Sequence, residues 1–242
     1  MIDQPVIGDA FGEALMEELE HGDAFEVDER DDGYVKVHPI SRYFADYPDW
    51  PDLEAAALDS ISGRVLDLGA GAGRATLELQ KRGQPVLAID SSPLAVEVCR
   101  RRGVEERMLG TIFDIPSRDE MFSCILMLGG NLGLLQNPAT VKEFLAAASA
   151  STRPGAQIFA LGTDPYRTKD PAHLQYYAHN RAAGRTGGHL RLRIRHRHTA
   201  TPWFDQWLLS LPELEAVLAG TPWFLDSACR DGARYLATLA RR

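Results

Sequence analysis

The stretch Val65-Leu66-Asp67-Leu68-Gly69-Ala70-Gly71-Ala72-Gly73-Arg74 constrains the fold more than any other part of the chain. Val65 to Leu68 is a short apolar run with one acid, the pattern of a buried parallel strand at its carboxyl edge. Three glycines then alternate with alanine, and the helix-forming run Arg74 to Gln80 follows. A turn lined by Gly and Ala alone leaves its backbone open to a ligand, because no side chain stands in the way. The helix behind it presents its amino end to the same place. Strand, turn and helix in this order predict an α/β chain. The dinucleotide fingerprint G-x-G-x-x-G is disfavoured, since it needs Gly or Ala at position 74, which is arginine.

A second apolar strand, Pro85 to Ile89, ends in Asp90, about twenty residues beyond the turn. In a doubly wound sheet such an acid lies beside the first glycine turn, placed to accept hydrogen bonds from ribose hydroxyls. The order of these parts reads as a site for a nucleoside cofactor. Glycines at 69, 71 and 73, with an acid two residues before the first, resemble motif I of the class I (Rossmann-like) S-adenosylmethionine (SAM)-dependent methyltransferases.

The resemblance covers roughly positions 62 to 163 and the tail. It implies a doubly wound, seven-stranded, mostly parallel sheet, with SAM as cofactor and S-adenosylhomocysteine (SAH) as product. Carried onto this chain, it implies cofactor contacts from Asp67, Gly69, Ala70, Gly71, Asp90, Ser91, Thr111, Ile112 and Gly129. Thr111 stands where the family commonly has an acid, Ile112 is expected on the ring face, and Asp114 reads as a loop acid. The run Met121 to Leu128 is the fourth strand, and Gly129-Gly130-Asn131-Leu132-Gly133 takes the place of motif IV, facing the transferred methyl. Asn131 either positions an acceptor or satisfies its own loop; an amide is no strong base. Arg153-Pro154-Gly155 is similar to the family's turn before the fifth strand, Gln157 to Leu161. The ending, from Trp223 onward, resembles its last two strands.

The flanking segments are read from their own patterns. Asp9 caps a helix to about Glu20, a hairpin turns at Asp31-Asp32-Gly33, and an aromatic segment runs from Ser41 to Trp50. Residues 1–61 are therefore expected to form a leader, either packed on the domain edge or covering the cofactor with Tyr43. Residues 62–242 form the main domain, with a substrate-side insertion at 164–210. Within the insertion, His173, Tyr176 and His179 are the candidate bases. Leu190 to His198 alternates strictly, placing Arg191, Arg193, Arg195 and Arg197 on one face of a strand. That ladder is either solvated, paired with the acidic leader, or a receptor for a carboxylate or phosphate on the acceptor.

At 242 residues, 45% hydrophobic, the chain suits one α/β domain with additions. A net charge of −8 argues against a long grip on nucleic acid. Three scattered cysteines offer neither a metal-ligand spacing nor a disulfide framework. No signal peptide and no membrane-spanning run is read, so the expected location is cytoplasmic. The function expected is methyl transfer from SAM to a small-molecule acceptor such as a specialised metabolite. Asn131 is not followed by Pro-Pro-aromatic and no Pro-Cys dipeptide occurs, which sets aside two nucleic-acid chemistries of the family. The alternatives are a SAM-binding sensor or assembly protein without catalysis, and an RNA or protein methyltransferase.

Overall fold

The computed structural model describes residues 5–116 and 121–242; the first four residues of the expected leader lie outside them. In chain order the elements are β1 (Val6–Ile7), α1 (Ala10–His21), β2 (Phe25–Arg30), β3 (Val35–Pro39), α2 (Asp52–Asp59) and β4 (Val65–Leu68). Next come α3 (Arg74–Lys81), β5 (Val86–Asp90), α4 (Pro93–Arg102), β6 (Glu106–Leu109), β7 (Phe122–Met127) and α5 (Pro138–Ser151). The chain continues through β8 (Thr152–Thr163), α6 (Pro171–Ala182), β9 (His189–His196), β10 (Thr199–Ala200) and β11 (Phe204–Trp207). It closes with α7 (Leu211–Leu218), β12 (Trp223–Asp231) and β13 (Arg234–Arg241).

The main sheet has seven strands in the order β12-β13-β8-β7-β4-β5-β6. Five neighbours, β8 to β6 in that order, run parallel, and β13 lies antiparallel to β8 and β12. This is the doubly wound, seven-stranded arrangement expected. β4 and β7 are buried along their whole length, as central parallel strands with helices on both faces must be. One face packs Phe144, Leu214 and Trp223 against Leu66 and Ile125; the other packs Trp50, Leu58 and Leu79 against Val65 and Leu126.

The segments outside this core do not stand apart. A second, six-stranded sheet orders β1-β10-β9-β2-β3, with β11 also on β9. The amino-terminal hairpin and the insertion therefore form one surface: Val27 pairs with Arg195, Asp28 with Ile194 and Glu29 with Arg193. Asp9 fastens this layer to the core. Its carboxylate caps α1 through Gly12 N at 3.0 Å and also accepts from Ser92 Oγ at 2.7 Å and Leu94 N at 3.1 Å, where α4 begins.

Two local expectations change. The fifth strand was expected from Gln157, but β8 begins at Thr152, opposite Phe122. The pairing then skips to Cys124 opposite Gln157, and Arg153 to Ala156 bulge out around Gly155, which has φ of +77°. The alternating strand expected to His198 stops at His196. Arg197 takes a left-handed φ of +49° in the turn into β10, so only Arg191, Arg193 and Arg195 share the arginine face. Arg193 and Arg195 pair with Glu29 at 2.8 and 3.3 Å, and Arg197 pairs with Glu17. The ladder is thus tied to the acidic leader. Among the described residues no helix is long and apolar enough to cross a membrane.

Candidate functional site

The carboxyl ends of β4, β5 and β7 meet at one edge of the main sheet, and the glycine turn lies across them. Gly69, Gly71 and Gly73 all have positive φ, at 74°, 57° and 74°, which L side chains resist. Gly69 N and Ala70 N donate to the Ile89 carbonyl at 2.8 and 3.1 Å, so the turn is hung from β5. Gly71 N donates to Asp90 Oδ2 at 2.8 Å, while Asp90 Oδ1 accepts from Ser92 N at 2.9 Å. Asp90 therefore joins the glycine turn to the start of α4. Burial pushes its carboxyl above the usual range.

Asp67 lies beneath the turn and accepts from Thr76 Oγ1 of α3 at 2.7 Å. Burial, opposed by that hydrogen bond and helped by Asp90, pushes its carboxyl up to about 6. It braces the turn to α3. Arg74, the residue that breaks the dinucleotide pattern, folds back on Glu54 of α2, which Arg234 also reaches at 2.9 Å. Its guanidinium lies 4.5 Å from the Trp50 ring centre. Arginine at this position is part of the packing between α2, α3 and β13.

The remaining expected residues divide into two groups. Gly129 and Gly130 have left-handed φ of 64° and 88°, and a Cβ at either would meet nothing within 4 Å, leaving an open floor after β7. Ser91 is exposed beside Asp90. Asn131 reaches back from this floor, its Nδ2 donating to Leu68 O at 2.9 Å and Gly69 O at 3.0 Å. Both amide hydrogens are thus engaged in locking the ends of β4 and β7 together, the structural alternative for this residue. Thr111 donates its N and Oγ1 to Asp114 Oδ2, each at 2.7 Å, and those bonds hold the Asp114 carboxyl below its ordinary range. This loop closes on itself, so Thr111 offers no free hydroxyl proton. Ile112 is buried in the main core beside Leu87 and Ile89.

His173 and Tyr176 are not brought to Asn131. His173 Nδ1 lies 3.0 Å from Arg30 Nη1, and its ring lies against Tyr34 and Tyr177. Tyr176 donates to Asp31 Oδ1 at 2.7 Å and supports the Arg30 guanidinium on its face. Burial lowers His173 and pushes Tyr176 up to about 12. Every hydrogen bond and ring contact described for the two goes to β2, its hairpin turn, β9 or α6. They join the insertion to the hairpin.

Tyr43 does reach the turn. Its Cδ1 lies 3.6 Å from the Cβ direction of Gly71, with Phe11 Cζ at 3.7 Å. The two rings meet edge to face at 5.2 Å. The Tyr43 hydroxyl donates to Glu26 Oε1 at 3.0 Å and accepts from Arg42 at 2.8 Å. The backbone of Gly71 thus faces two aromatic rings supplied by the leader, a polar-ended cover over the glycine turn. Phe11 and Glu26 escaped the sequence reading. Alternation puts Glu26, Asp28 and Arg30 on one face of β2, but nothing in the sequence says which face turns inward.

These features fit a nucleoside cofactor of the SAM kind: a turn with positive φ at Gly69, Gly71 and Gly73, an acid at the end of the second strand, a side-chain-free floor at Gly129 and Gly130, and aromatic cover. The family profile described as a methyltransferase domain matches residues 65–155. A demethylmenaquinone methyltransferase of Tropheryma whipplei is 32% identical over 99 residues, 39% of this chain and 39% of that one. The chain therefore matches about two fifths of the length of this curated relative. A crystal structure of a SAM-dependent methyltransferase from Bacteroides fragilis, in complex with SAH, is similar at TM-score 0.82 and 26% identity over 96% of this chain and 94% of that chain. The CcbJ methyltransferase of Streptomyces caelestis shares the fold at TM-score 0.61 and 14% identity, covering 81% of this chain and 94% of that one. Taken with the strand order and the glycine turn, these likenesses show a methyltransferase domain over residues 65–155 and, over nearly the whole chain, the class I, Rossmann-like fold of SAM-dependent methyltransferases.

Proposed function

We propose that this protein transfers a methyl group from SAM to a small-molecule acceptor. The observation that carries the reading is the Gly69–Gly71 backbone, braced by Asp90 and covered by Tyr43 and Phe11, beside the open floor at Gly129 and Gly130. When bound, SAM supplies a methyl already activated by its sulfonium, so the protein's task is mainly alignment. Good alignment supplies roughly 7–11 kcal/mol of such a barrier. Gly69, Ala70, Gly71, Asp90 and Ser91 would hold the cofactor. Tyr43 and Phe11 would keep water from it, and Asn131 would hold the glycine turn in register with the floor.

A small acceptor is favoured because Gln206 of the second sheet packs against Gly133 of the floor loop and Arg193 and Arg195 of the ladder are already paired with Glu29. The Tropheryma whipplei relative is named for demethylmenaquinone. An acceptor with an apolar body suits the half-buried Leu192, Ile194 and Phe204 of the second sheet.

Calorimetric titration with SAM, SAH and NAD tests the cofactor. Saturable binding of SAM and SAH without NAD is expected. Gly71→Val is expected to abolish it, and Asp90→Ala to weaken it by on the order of 1–3 kcal/mol. Unchanged affinity in both variants would refute the assignment. Recovery of SAH after incubation with SAM and a metabolite extract would then separate a transferase from a sensor.

A further inference from the structure

The inner face of the second sheet carries an unused acid. Residues directly opposite in a sheet share a face. His38 lies opposite Glu26, Ile194 opposite Asp28, Leu192 opposite Arg30, and Phe204 opposite Leu192. At one end of this face Tyr43 runs from Glu26 to the Gly71 backbone. At another, Gln206, opposite Leu190, packs so close to Gly133 that a Cβ there would stand 2.6 Å from its Cγ. The face therefore looks onto the glycine turn and the floor loop.

Glu26 is 1% exposed. Its Oε1 takes hydrogen bonds from Arg42 and Tyr43, whereas its Oε2 is buried with no partner among the described residues. A buried carboxylate oxygen without a donor is costly, and such atoms mark places where a ligand completes the set. Arg30, Asp31 and Asp32 are engaged with one another's neighbours at the α6 end, and Asp28 is paired with His38 at 3.3 Å. Within this face, Glu26 alone has an oxygen left unsatisfied and buried.

We propose that Glu26 Oε2 receives the hydrogen of the acceptor's reacting N–H or O–H group. The proton moves to Oε2, its former bonding pair stays on the acceptor atom as the nucleophilic lone pair, and the proton later leaves to water. Arg42 and Tyr43 hold the other oxygen throughout, so the carboxyl keeps its orientation. The groups facing Glu26 are Arg42 and Tyr43 of the Ile40–Tyr43 turn, Asp28 beside it, His38 opposite on β3 and, on the β9 side, His196, which is bonded to Glu17 of α1 at 2.8 Å. Burial raises Glu26 and Asp28 and lowers His38, so the acid is a stronger base than a free glutamate. Farther along the same face, Ile194, Leu192 and Phe204 are apolar and half-buried.

This rests on the methyltransferase reading, and the test separates the two. Protein labelled with 13C at glutamate carboxyls is first saturated with SAH; failure of SAH to bind at all is a failure of that reading. The loaded protein is then titrated with benzylamine and, separately, with phenol. The resonance missing in Glu26→Gln is Glu26, and it is expected to shift with one or both probes. Affinity for that probe is expected to fall about tenfold or more in Glu26→Gln and to hold in Glu29→Gln, an outer-face carboxylate on the same strand. A response to benzylamine alone points to a nitrogen acceptor, and to phenol alone an oxygen acceptor. The proposal is overturned if SAH binds but neither probe does, or if probes bind without moving the Glu26 resonance. Should Glu26→Gln fail to fold, the shift in the wild-type protein under each probe, assigned through Glu26→Asp, still decides.

Discussion

Alanine at Gly69 and alanine at Gly71 look alike in sequence and should behave differently. At Gly69 the added methyl would sit 2.3 Å from Asn131 Nδ2, at a φ of +74°. The left-handed backbone costs about 1–2 kcal/mol for a residue with a Cβ. Displacing Asn131 also removes its bonds to Leu68 O and Gly69 O, each worth about 1 kcal/mol. Gly69→Ala should therefore lose about 3–4 kcal/mol of stability. At Gly71 the φ is +57°, but the nearest atoms, on Tyr43 and Phe11, are at 3.6 and 3.7 Å, ordinary contact distances. Only the backbone strain of about 1–2 kcal/mol applies there. The new methyl instead projects toward the cover, into space a ligand on the turn needs. Urea unfolding without ligand, followed by SAH calorimetry, measures both effects. Equal loss of stability in the two variants, or full SAH affinity in Gly71→Ala, would refute the reasoning.

Three further outcomes follow from the same geometry. Asp67 has its folded-state carboxyl raised to about 6 by burial, so its contribution to stability is present below about pH 4 and is lost as pH rises through 6. Asp67→Asn, whose amide oxygen can still accept from Thr76, should flatten stability across that window and gain about 3 kcal/mol at pH 8; pH-dependent urea midpoints check it. Asp9→Ala removes the α1 cap and both bonds to the start of α4 and should cost about 1–3 kcal/mol, with faster proteolysis between residues 5 and 24. Arg74→Ala removes one of two arginines from the buried Glu54 and should cost about 2–4 kcal/mol in thermal unfolding.

The core of this protein was legible because its signals are local. A buried parallel strand must be apolar along its length, and a turn that opens its backbone must be glycine. Val65 to Gly73 and Pro85 to Asp90 therefore announced β4, β5 and the cofactor turn in the right order. The cap at Asp9 was equally readable, because a side chain that closes a helix acts within three residues. The acceptor side was not legible, because strand alternation defines two faces without saying which is covered. Only the pairing of β2 with β9, between residues more than 150 positions apart, turned Glu26 inward and matched the arginine ladder with Glu29. The same pairing placed His173 and Tyr176 at the hairpin joint instead of the floor loop, and long-range packing, not local sequence, gave Asn131 its two backbone partners. Sequence by itself determined the sheet, its glycine turn and the class of cofactor that turn suits. The tertiary structure alone decided which polar groups face that turn, since a side chain's partners across a sheet are fixed by register and not by its neighbours in the chain.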